Sequence, residues 1–123
     1  MIRNYLVGKG SKYAVHCTAV YCGKDISIAI SGGTLEHIGA VALAVYEPLR
    51  NSATVSTVSV FSHRDDQIAA IIAKKISSQC KCTVTASVGV HLDNATSEDI
   101  KILQNNCIHC CDLVLADKNQ QLL

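Results

Sequence analysis

The sequence lacks a cluster of charge of either sign. It has 11 basic and 10 acidic residues among 123, a formal net charge of +1, and its basic residues form no run. Nucleic-acid-binding domains usually carry a basic patch or stripe, so this composition argues against a nucleic-acid partner.

Long apolar segments are missing as well. Apolar runs such as residues 69–73 are far too short to span a bilayer. Residues 1–9 lack the apolar core of a signal peptide. We therefore expect a cytoplasmic protein with no membrane partner.

Repeats, low-complexity segments and linkers are also absent. A chain of 123 residues can form one hydrophobic core, and we predict a single domain over residues 1–123. Because so small a domain has a limited core, we expect a homodimer or larger homo-oligomer.

The seven cysteines do not indicate a disulfide framework, because their number is odd and no export signal precedes them. Cys80 and Cys82, or the cysteines of 107–111, could in principle ligate a metal, but the paired spacing of zinc ligands is missing. If residues 97–115 are helical, three- and four-residue spacing predicts a buried apolar stripe. Its members are Ile100, Leu103, Cys107, Cys110, Cys111 and Val114.

Hydrophobic periodicity predicts six strands and two helices, with the last strand between the two helices. The strands cover residues of about 3–8, 12–21, 25–31, 40–47, 54–61 and 83–90, with a tight turn at 22–25. The first helix runs from Asp65 to Ser78, and its inner face is expected to be Ile68, Ile71, Ile72 and Ile76. The second helix begins near Thr96, a suitable N-cap, and the tail from Asp117 to Leu123 is expected to fray.

Strand directions follow if the first strands form an antiparallel meander. The strand near 25–31 then points up, the strand near 40–47 down and the strand near 54–61 up. A helical crossover returns the strand near 83–90 parallel to the one before the helix. We predict an α/β fold of the two-layer α+β kind, with a mainly antiparallel sheet of five or six strands and two helices packed on one face.

The two faces of this sheet are expected to differ. In residues 83–90, valine and alanine alternate with threonine, serine and glycine, and residues 26–31 alternate in a similar way. The apolar face should carry both helices. The other face is small and hydroxyl-rich, and it is either solvated or pressed against a second copy or a planar ligand.

Three of the five histidines directly follow strand-like segments. His37 lies in the glycine-rich loop 31–39, His63 precedes the first helix, and His91 precedes the second. The predicted strand directions place all three loops on one edge of the sheet. Strand ends that face helix N-termini commonly bind small anionic ligands. The sequence therefore predicts a site formed by these three histidines.

The glycine-rich loop has two interpretations. Gly32 and Gly33 either form a simple turn, since glycine tolerates positive φ, or leave bare amides that can approach a phosphate or an aromatic ring. In the second interpretation, Ser31 and both glycines are cofactor-binding residues.

The segment before the first helix is equally ambiguous. His63 and Asp65 could be ordinary capping residues. Arg64 is either a solvated charge or a phosphate partner beside a helix N-terminus.

The segment after the last strand is harder to explain by capping alone. Asp93 or Asn94 can cap the second helix, but neither role requires His91. A close set of His37, His63 and His91 could also bind a divalent metal, with Glu36 or Asp93 as an added ligand. A nucleophilic triad is not indicated, since no serine or cysteine lies in a strained elbow.

Three segments, in this order, resemble a known family. They are residues 31–33 with 37–42, residues 62–66, and residues 89–96. Over residues 10–115 the chain is similar to the prenylated-flavin chaperones of the LpdD-like family, named for the small D component that accompanies gallate decarboxylase. It departs from the family pattern in its many cysteines and in Arg64, where lysine is commoner.

The resemblance implies a small α/β protein that binds prenylated flavin mononucleotide (FMN), or FMN itself, and helps supply it to UbiD-type decarboxylases. It also implies a link to the flavin prenyltransferase pathway and a chaperone or maturation role with no catalytic residues. The motif positions that carry over are Gly32, Gly33, His37, His63, His91, Asp93 and Asn94.

Two other classes of function stay open. One is a small metal-dependent hydrolase or isomerase with His37 and His91 as ligands and Glu36 as base. The other is a regulatory module for a different phosphorylated ligand. Visible absorbance of the purified protein distinguishes a flavin carrier from both.

Overall fold

Six strands and two helices follow one another nearly as the periodicity predicts. A computed structural model describes residues 1–60 and 65–121, with side chains up to Lys118. The strands are β1 (Ile2–Val7), β2 (Val15–Cys22), β3 (Asp25–Gly33), β4 (Ala40–Glu47), β5 (Ser52–Ser59) and β6 (Val84–His91). The helices are α1 (Asp65–Cys80) and α2 (Ser97–Gln121).

All six strands form one mainly antiparallel sheet in the order β1-β2-β3-β6-β4-β5. Only the β3–β6 pair is parallel among neighbours. The α1 helix packs on β4, β5 and β6, and α2 packs on β1, β2 and α1. The predicted α+β class is therefore confirmed.

The predicted meander is wrong in one respect, because β6 is inserted between β3 and β4. It pairs with β3 from Ile26 opposite Val84 to Gly33 opposite His91, and on its other side with β4. The directions of β3, β4 and β5 are nevertheless as predicted. The ends of β3, β5 and β6 consequently lie along one edge, here called the upper edge.

The face of α1 that packs on the sheet consists mainly of isoleucine and alanine side chains. Ile68, Ile72 and Ile76 are buried, whereas Ile71 is 51% exposed and does not belong to the predicted stripe. On the sheet beneath α1, Ala40, Ala42 and Ala44 of β4 are completely buried. Small side chains there let the helix approach the sheet closely.

The α2 stripe is confirmed except at its start. Leu103, Val114 and the cysteines at 107, 110 and 111 are buried, but Ile100 is 40% exposed. All seven cysteines are free thiols. Burial raises the pKa of both Cys107 and Cys111 to about 12. The cysteines of α2 therefore behave as small core residues.

The predicted fraying of residues 117–123 is wrong up to Gln121, because α2 continues to that residue, while residues 122–123 lie outside the described residues. The Tyr5 hydroxyl donates a hydrogen bond to the Asp117 carboxylate. Lys118 is buried, and its Nζ donates to the carbonyl oxygen of Lys24 at 3.0 Å. These tertiary contacts hold the last turns of the helix against the sheet. No helix in the described ranges combines the length and apolar character needed to cross a membrane.

The face of the sheet opposite the helices is here called the open face. It consists of the alternate strand residues whose neighbours point into the core. These are Ile2, Asn4, Leu6, His16, Thr18, Val20, Cys22, Asp25, Ser27, Ala29, Ser31, Gly33, Val41, Leu43, Val45, Glu47, Ser52, Thr54, Ser56, Val58, Thr85, Ser87, Gly89 and His91.

Candidate functional site

The loop between β3 and β4 must cross the end of β6, because β6 lies between those two strands. The Gly39 amide donates to the carbonyl oxygen of Val88 at 2.9 Å. A Cβ on Gly89 would overlap the backbone carbonyl of His37. Glycine at position 89 is thus what allows the histidine-bearing loop to lie directly on β6.

Gly32 and Gly33 have structural reasons to be glycine. A Cβ on Gly32 would overlap the Ala14 carbonyl oxygen. Gly33 has a φ of 84°, and a Cβ there would overlap the carbonyl oxygen of His91. Its amide already donates to the Ala14 oxygen at 3.3 Å. The turn interpretation explains both glycines, and their contact with a cofactor stays a prediction.

Hydrogen bonds fasten this loop to the end of β6. The Thr34 amide donates to the His91 carbonyl oxygen at 2.6 Å. The Thr34 hydroxyl oxygen in turn accepts the Asp93 amide at 3.2 Å. The backbones that carry His37 and His91 therefore meet at the upper edge, as the strand directions predict.

His37 faces the start of α1. Its Nε2 lies 3.6 Å from Oδ2 of Asp65, and its Nδ1 donates to the Leu35 carbonyl oxygen at 3.2 Å. Asp65 is buried, with 7% of its surface exposed. A Cβ on Gly39 would overlap the Asp65 carboxylate, so this glycine makes room for it. An imidazole and a carboxylate are thus held together at the base of the loop.

His91 has a separate carboxylate partner. Its Nε2 lies 3.1 Å from Oδ1 of Asp93, and both side chains are exposed. Asn94 adopts a left-handed conformation, with a φ of 54°. Neither Asp93 nor Asn94 caps α2, because Thr96 takes that role.

The start of α2 is closed by a reciprocal pair of hydrogen bonds. The Thr96 hydroxyl oxygen accepts the Asp99 amide, and the Asp99 carboxylate accepts the Thr96 amide, both at 3.1 Å. Asp99 also accepts the Tyr13 hydroxyl at 2.6 Å. The Tyr13 hydrogen bond and those from Thr96 lower the pKa of Asp99 to about 2. The predicted N-cap is confirmed.

The third histidine cannot be placed beside the other two. His63 and Arg64 lie outside the described residues. Among residues 1–60 and 65–121, no three His, Cys, Asp or Glu side chains are grouped so as to hold a metal ion. A divalent metal on His37, His63 and His91 stays a prediction.

A cavity of about 330 Å³ lies where the loop meets the open face. Its floor is made of the small side chains of Ala29, Ser31 and Ser87, and its wall is residues 36–38 of the loop. Ile30 completes the lining. The Ser31 hydroxyl donates to the Glu36 carboxylate at 3.3 Å across the cavity mouth. His37 therefore lines the cavity and also contacts the buried Asp65.

Several lining residues are not foreseen from the sequence. Ser87 enters the site because it pairs with Ala29, and that register exists only when β6 is inserted beside β3. The sequence predicts Glu36 as a metal ligand or base and Asp65 as a helix cap. It does not predict the contact of Glu36 with Ser31 or that of Asp65 with His37. The sequence signal for the cavity wall is the occurrence of Glu36 and His37 shortly after the glycine pair 32–33.

Comparison with known proteins identifies the family. The family model for the prenylated flavin chaperone LpdD-like domain matches residues 9–119. The chain belongs to this family. No curated protein matches this LpdD-like chain.

Solved structures give a fold comparison for the LpdD-like domain. One similar chain comes from the crystal structure of a chaperone complex for yeast 20S proteasome assembly. The TM-score is 0.62 at 12% identity, covering 95% of this chain and 97% of that chain. At that identity the likeness concerns the fold alone.

Proposed function

We propose that this protein binds prenylated FMN in the upper-edge cavity and delivers it to a UbiD-type decarboxylase. The single observation that carries the proposal is the cavity itself, in a chain of the LpdD-like family. Binding and release of a cargo require no reaction by the chaperone. Flavin prenyltransferase is the proposed source of the cargo.

The chemistry of the cavity suits part of a flavin. Its floor of alanine and serine side chains is flat and small, so a planar ring system can lie close to the strand backbone. Glu36 in the wall can hydrogen-bond to the polar edge of such a ring, while His37, whose ring nitrogens face Leu35 and Asp65, forms part of the wall beside it. A volume of about 330 Å³ is at the lower end for small-molecule sites. The cavity would hold the ring, while the ribityl phosphate extends beyond it.

Acidic residues make the two helix N-termini less suited to the phosphate than the sequence suggests. Asp65 and Asp66 lie in the first turn of α1, and Glu98 and Asp99 in that of α2. These carboxylates already complement the positive ends of the helix dipoles. Arg64, which precedes α1, is therefore the predicted phosphate partner.

Hydrolase or isomerase chemistry has less support. Within the described ranges, the geometry pairs His37 and His91 with one carboxylate each and assembles no set of three metal ligands. An enzyme of the predicted kind would need that set to bind its metal.

Anaerobic titration with enzymatically prepared prenylated FMN tests cargo binding, with visible absorbance and fluorescence as the readouts. Ser87→Leu should weaken binding at least about tenfold because it fills the cavity floor. Ser27→Leu is the matched control, since Ser27 is also an open-face serine but does not line the cavity. Equal binding by wild type and Ser87→Leu would place the cargo elsewhere.

The histidines are tested in the same titration. His37→Ala should weaken binding more than His109→Ala, an exposed histidine of α2 that lies away from the cavity. His91→Ala reports whether the second imidazole also reaches the cargo. If His37→Ala and His91→Ala both bind like wild type, the predicted histidine site is wrong.

Delivery needs its own measurement. Apo-decarboxylase mixed with the loaded protein should recover activity faster than with the same concentration of free prenylated FMN in the presence of oxygen scavengers. FMN in place of the prenylated form shows whether the prenyl ring is recognised. Loaded protein that binds cargo tightly but does not speed recovery would contradict the chaperone role.

A further inference from the structure

The wall of the cavity is polar at one end and apolar at the other. The Glu36 carboxylate accepts the Ser31 hydroxyl at 3.3 Å, so the polar end lies over β3. Two residues later, Ile38 also lines the cavity. It directly precedes Gly39, whose amide donates to the carbonyl oxygen of Val88 in β6. Because β4 begins at the next residue, the apolar end of the wall lies on the side of the cavity nearer to β4.

The sheet beneath the wall changes in the same direction. Four residues lie side by side in one cross-strand row of the open face: Ala29 pairs with Ser87, Ser87 with Val41, and Val41 with Val58. The first two form part of the cavity floor. Val41 is half-buried and Val58 is 70% exposed. The row therefore continues from small side chains on β3 and β6 to valines on β4 and β5.

Ile38 has apolar surface that a ligand in the cavity would cover. Its side chain lines the cavity and is nevertheless 58% exposed. Leu35 of the same loop is 59% exposed but does not line the cavity. Covering exposed hydrocarbon with an apolar part of a ligand is favourable, because it removes that hydrocarbon from water. Ile38 is therefore placed to contribute to binding, and Leu35 provides a comparison within the loop.

We infer that Ile38 and Val41 form an apolar subsite that recognises the hydrocarbon ring of prenylated FMN and thereby selects it over FMN. The inference rests on the proposed function. The pyrimidine end of a flavin carries an N–H group and two carbonyl oxygens, whereas prenylation adds a hydrocarbon ring fused to the central and benzenoid rings. A carboxylate accepts the N–H group, so Glu36 holds the pyrimidine end over β3. The added ring then lies between Ile38 and the part of the row that contains Val41.

The separation of the polar and apolar ends suits a flavin. In the order β3-β6-β4, the outer two strands are two strand spacings apart, which is roughly 10 Å. This separation is comparable with the length of three fused six-membered rings. A ring system held by Glu36 over β3 therefore reaches Val41 on β4.

Parallel anaerobic titrations with prenylated FMN and with FMN test the subsite, with absorbance and fluorescence as readouts. Wild type should bind prenylated FMN at least about tenfold more tightly than FMN, since even one methylene in an apolar pocket changes affinity by about that factor. Ile38→Ser should remove most of this preference by weakening the binding of prenylated FMN, with a much smaller change for FMN. Leu35→Ser is the matched control, an equally exposed residue outside the cavity lining, and should keep the preference.

A second pair of variants separates recognition from misfolding. Val41→Thr keeps the β-branched shape of the side chain but makes it polar, and it should reduce the preference in the same way as Ile38→Ser. Val45→Thr is its control on β4, because Val45 is 46% exposed and does not line the cavity. It should bind both flavins like wild type. Circular dichroism should show wild-type folding, and if Ile38→Ser does not fold, Val41→Thr decides.

The possible results distinguish the subsite from the proposed function. Wild type that binds neither flavin would refute both. Wild type that binds the two flavins equally would overturn the subsite while flavin binding stands. The subsite is also wrong if Ile38→Ser and Val41→Thr weaken both flavins by the same factor, or if Leu35→Ser loses the preference and Ile38→Ser keeps it.

Discussion

The covered and open faces of the sheet come from the same strands but have different compositions. In β6, Val84, Ala86 and Val88 are completely buried under the helices, while Thr85 and Ser87 alternate with them on the other side. In β4, buried alanines alternate with Val41, Leu43 and Val45. In these two strands the covered face is apolar, and the other face mixes hydroxyls with exposed apolar residues.

The difference shows which constraints act on each face. Helix packing explains every small residue on the covered face, because larger side chains would push α1 away from the sheet. The open face instead mixes hydroxyl side chains with exposed apolar ones, and Asp25 and Glu47 lie at its lower end. The following experiments compare buried positions with exposed ones.

The largest effect should come from α1. Ile72 is completely buried and the adjacent Ile71 is 51% exposed. Ile72→Ala should lower the free energy of unfolding by about 2–5 kcal/mol, through lost burial and the cavity left behind. Ile71→Ala should change it by less than about 0.5 kcal/mol. Urea denaturation of both variants measures the contrast, and similar losses would mean that the helix is rotated from the orientation described.

The core thiols should resist modification. Burial raises the pKa of Cys107 and Cys111 to about 12, so at pH 8 only about one thiol in ten thousand is ionised. Cys22 is exposed. A thiol reagent at pH 8 should modify Cys22 first and reach the α2 thiols only after unfolding. Peptide mass spectrometry measures the order, and early labelling of Cys107 would contradict the packing of α2.

Local pattern predicts much of this architecture. Alternation in β3 and β6 identifies the covered face, and Thr96 marks the start of α2 because its capping chemistry is local. Strand directions follow from chain connectivity. These inferences need only neighbouring residues, and the structure agrees with each of them.

Long-range contacts account for what the sequence does not predict. The insertion of β6 beside β3 depends on pairing between residues far apart in the sequence. Gly89 is consistent with this strand order because the β3–β4 loop lies directly on it, but that contact is visible only in the structure. The contact of Tyr5 with Asp117 extends α2 beyond its apolar stripe. The spacing of Ile71 and Ile100 fits the helical period, but both side chains lie outside the part of each helix surface that is buried in the core. The cavity depends on the same strand order, so the sequence does not predict that Ser87 lines it.

Capping of α2 should have a smaller effect than core packing. Thr96→Ala removes the hydroxyl that accepts the Asp99 amide and should cost about 1 kcal/mol of unfolding free energy. Ser97→Ala, one residue later and exposed, should stay within about 0.5 kcal/mol of wild type. Thermal and urea unfolding give both values; equal losses would assign the effect to helix propensity.

Acid should remove the contribution of Asp99. Its pKa falls from 3.8 to about 2 on folding, so its stabilisation is complete above about pH 4 and is lost as the pH falls toward 2. Asp99→Ala should lack that part of the pH dependence. Urea midpoints between pH 5 and 2 test this, and parallel curves for the two proteins would show that the carboxylate is not held by Tyr13 and Thr96.

The smallest effect is expected on the open face, where an identical substitution can be compared with one in the core. Ser27 accepts a hydrogen bond from the Thr85 hydroxyl at 2.9 Å in an exposed position. Buried Ser77 donates to the Cys82 carbonyl oxygen at 2.6 Å. Ser27→Ala should change the free energy of unfolding by less than about 0.5 kcal/mol, since water replaces the lost bond. Ser77→Ala should cost about 1–3 kcal/mol, because the carbonyl is left unsatisfied. Equal losses, measured by urea unfolding, would show that the hydrogen bond between Thr85 and Ser27 is shielded from water.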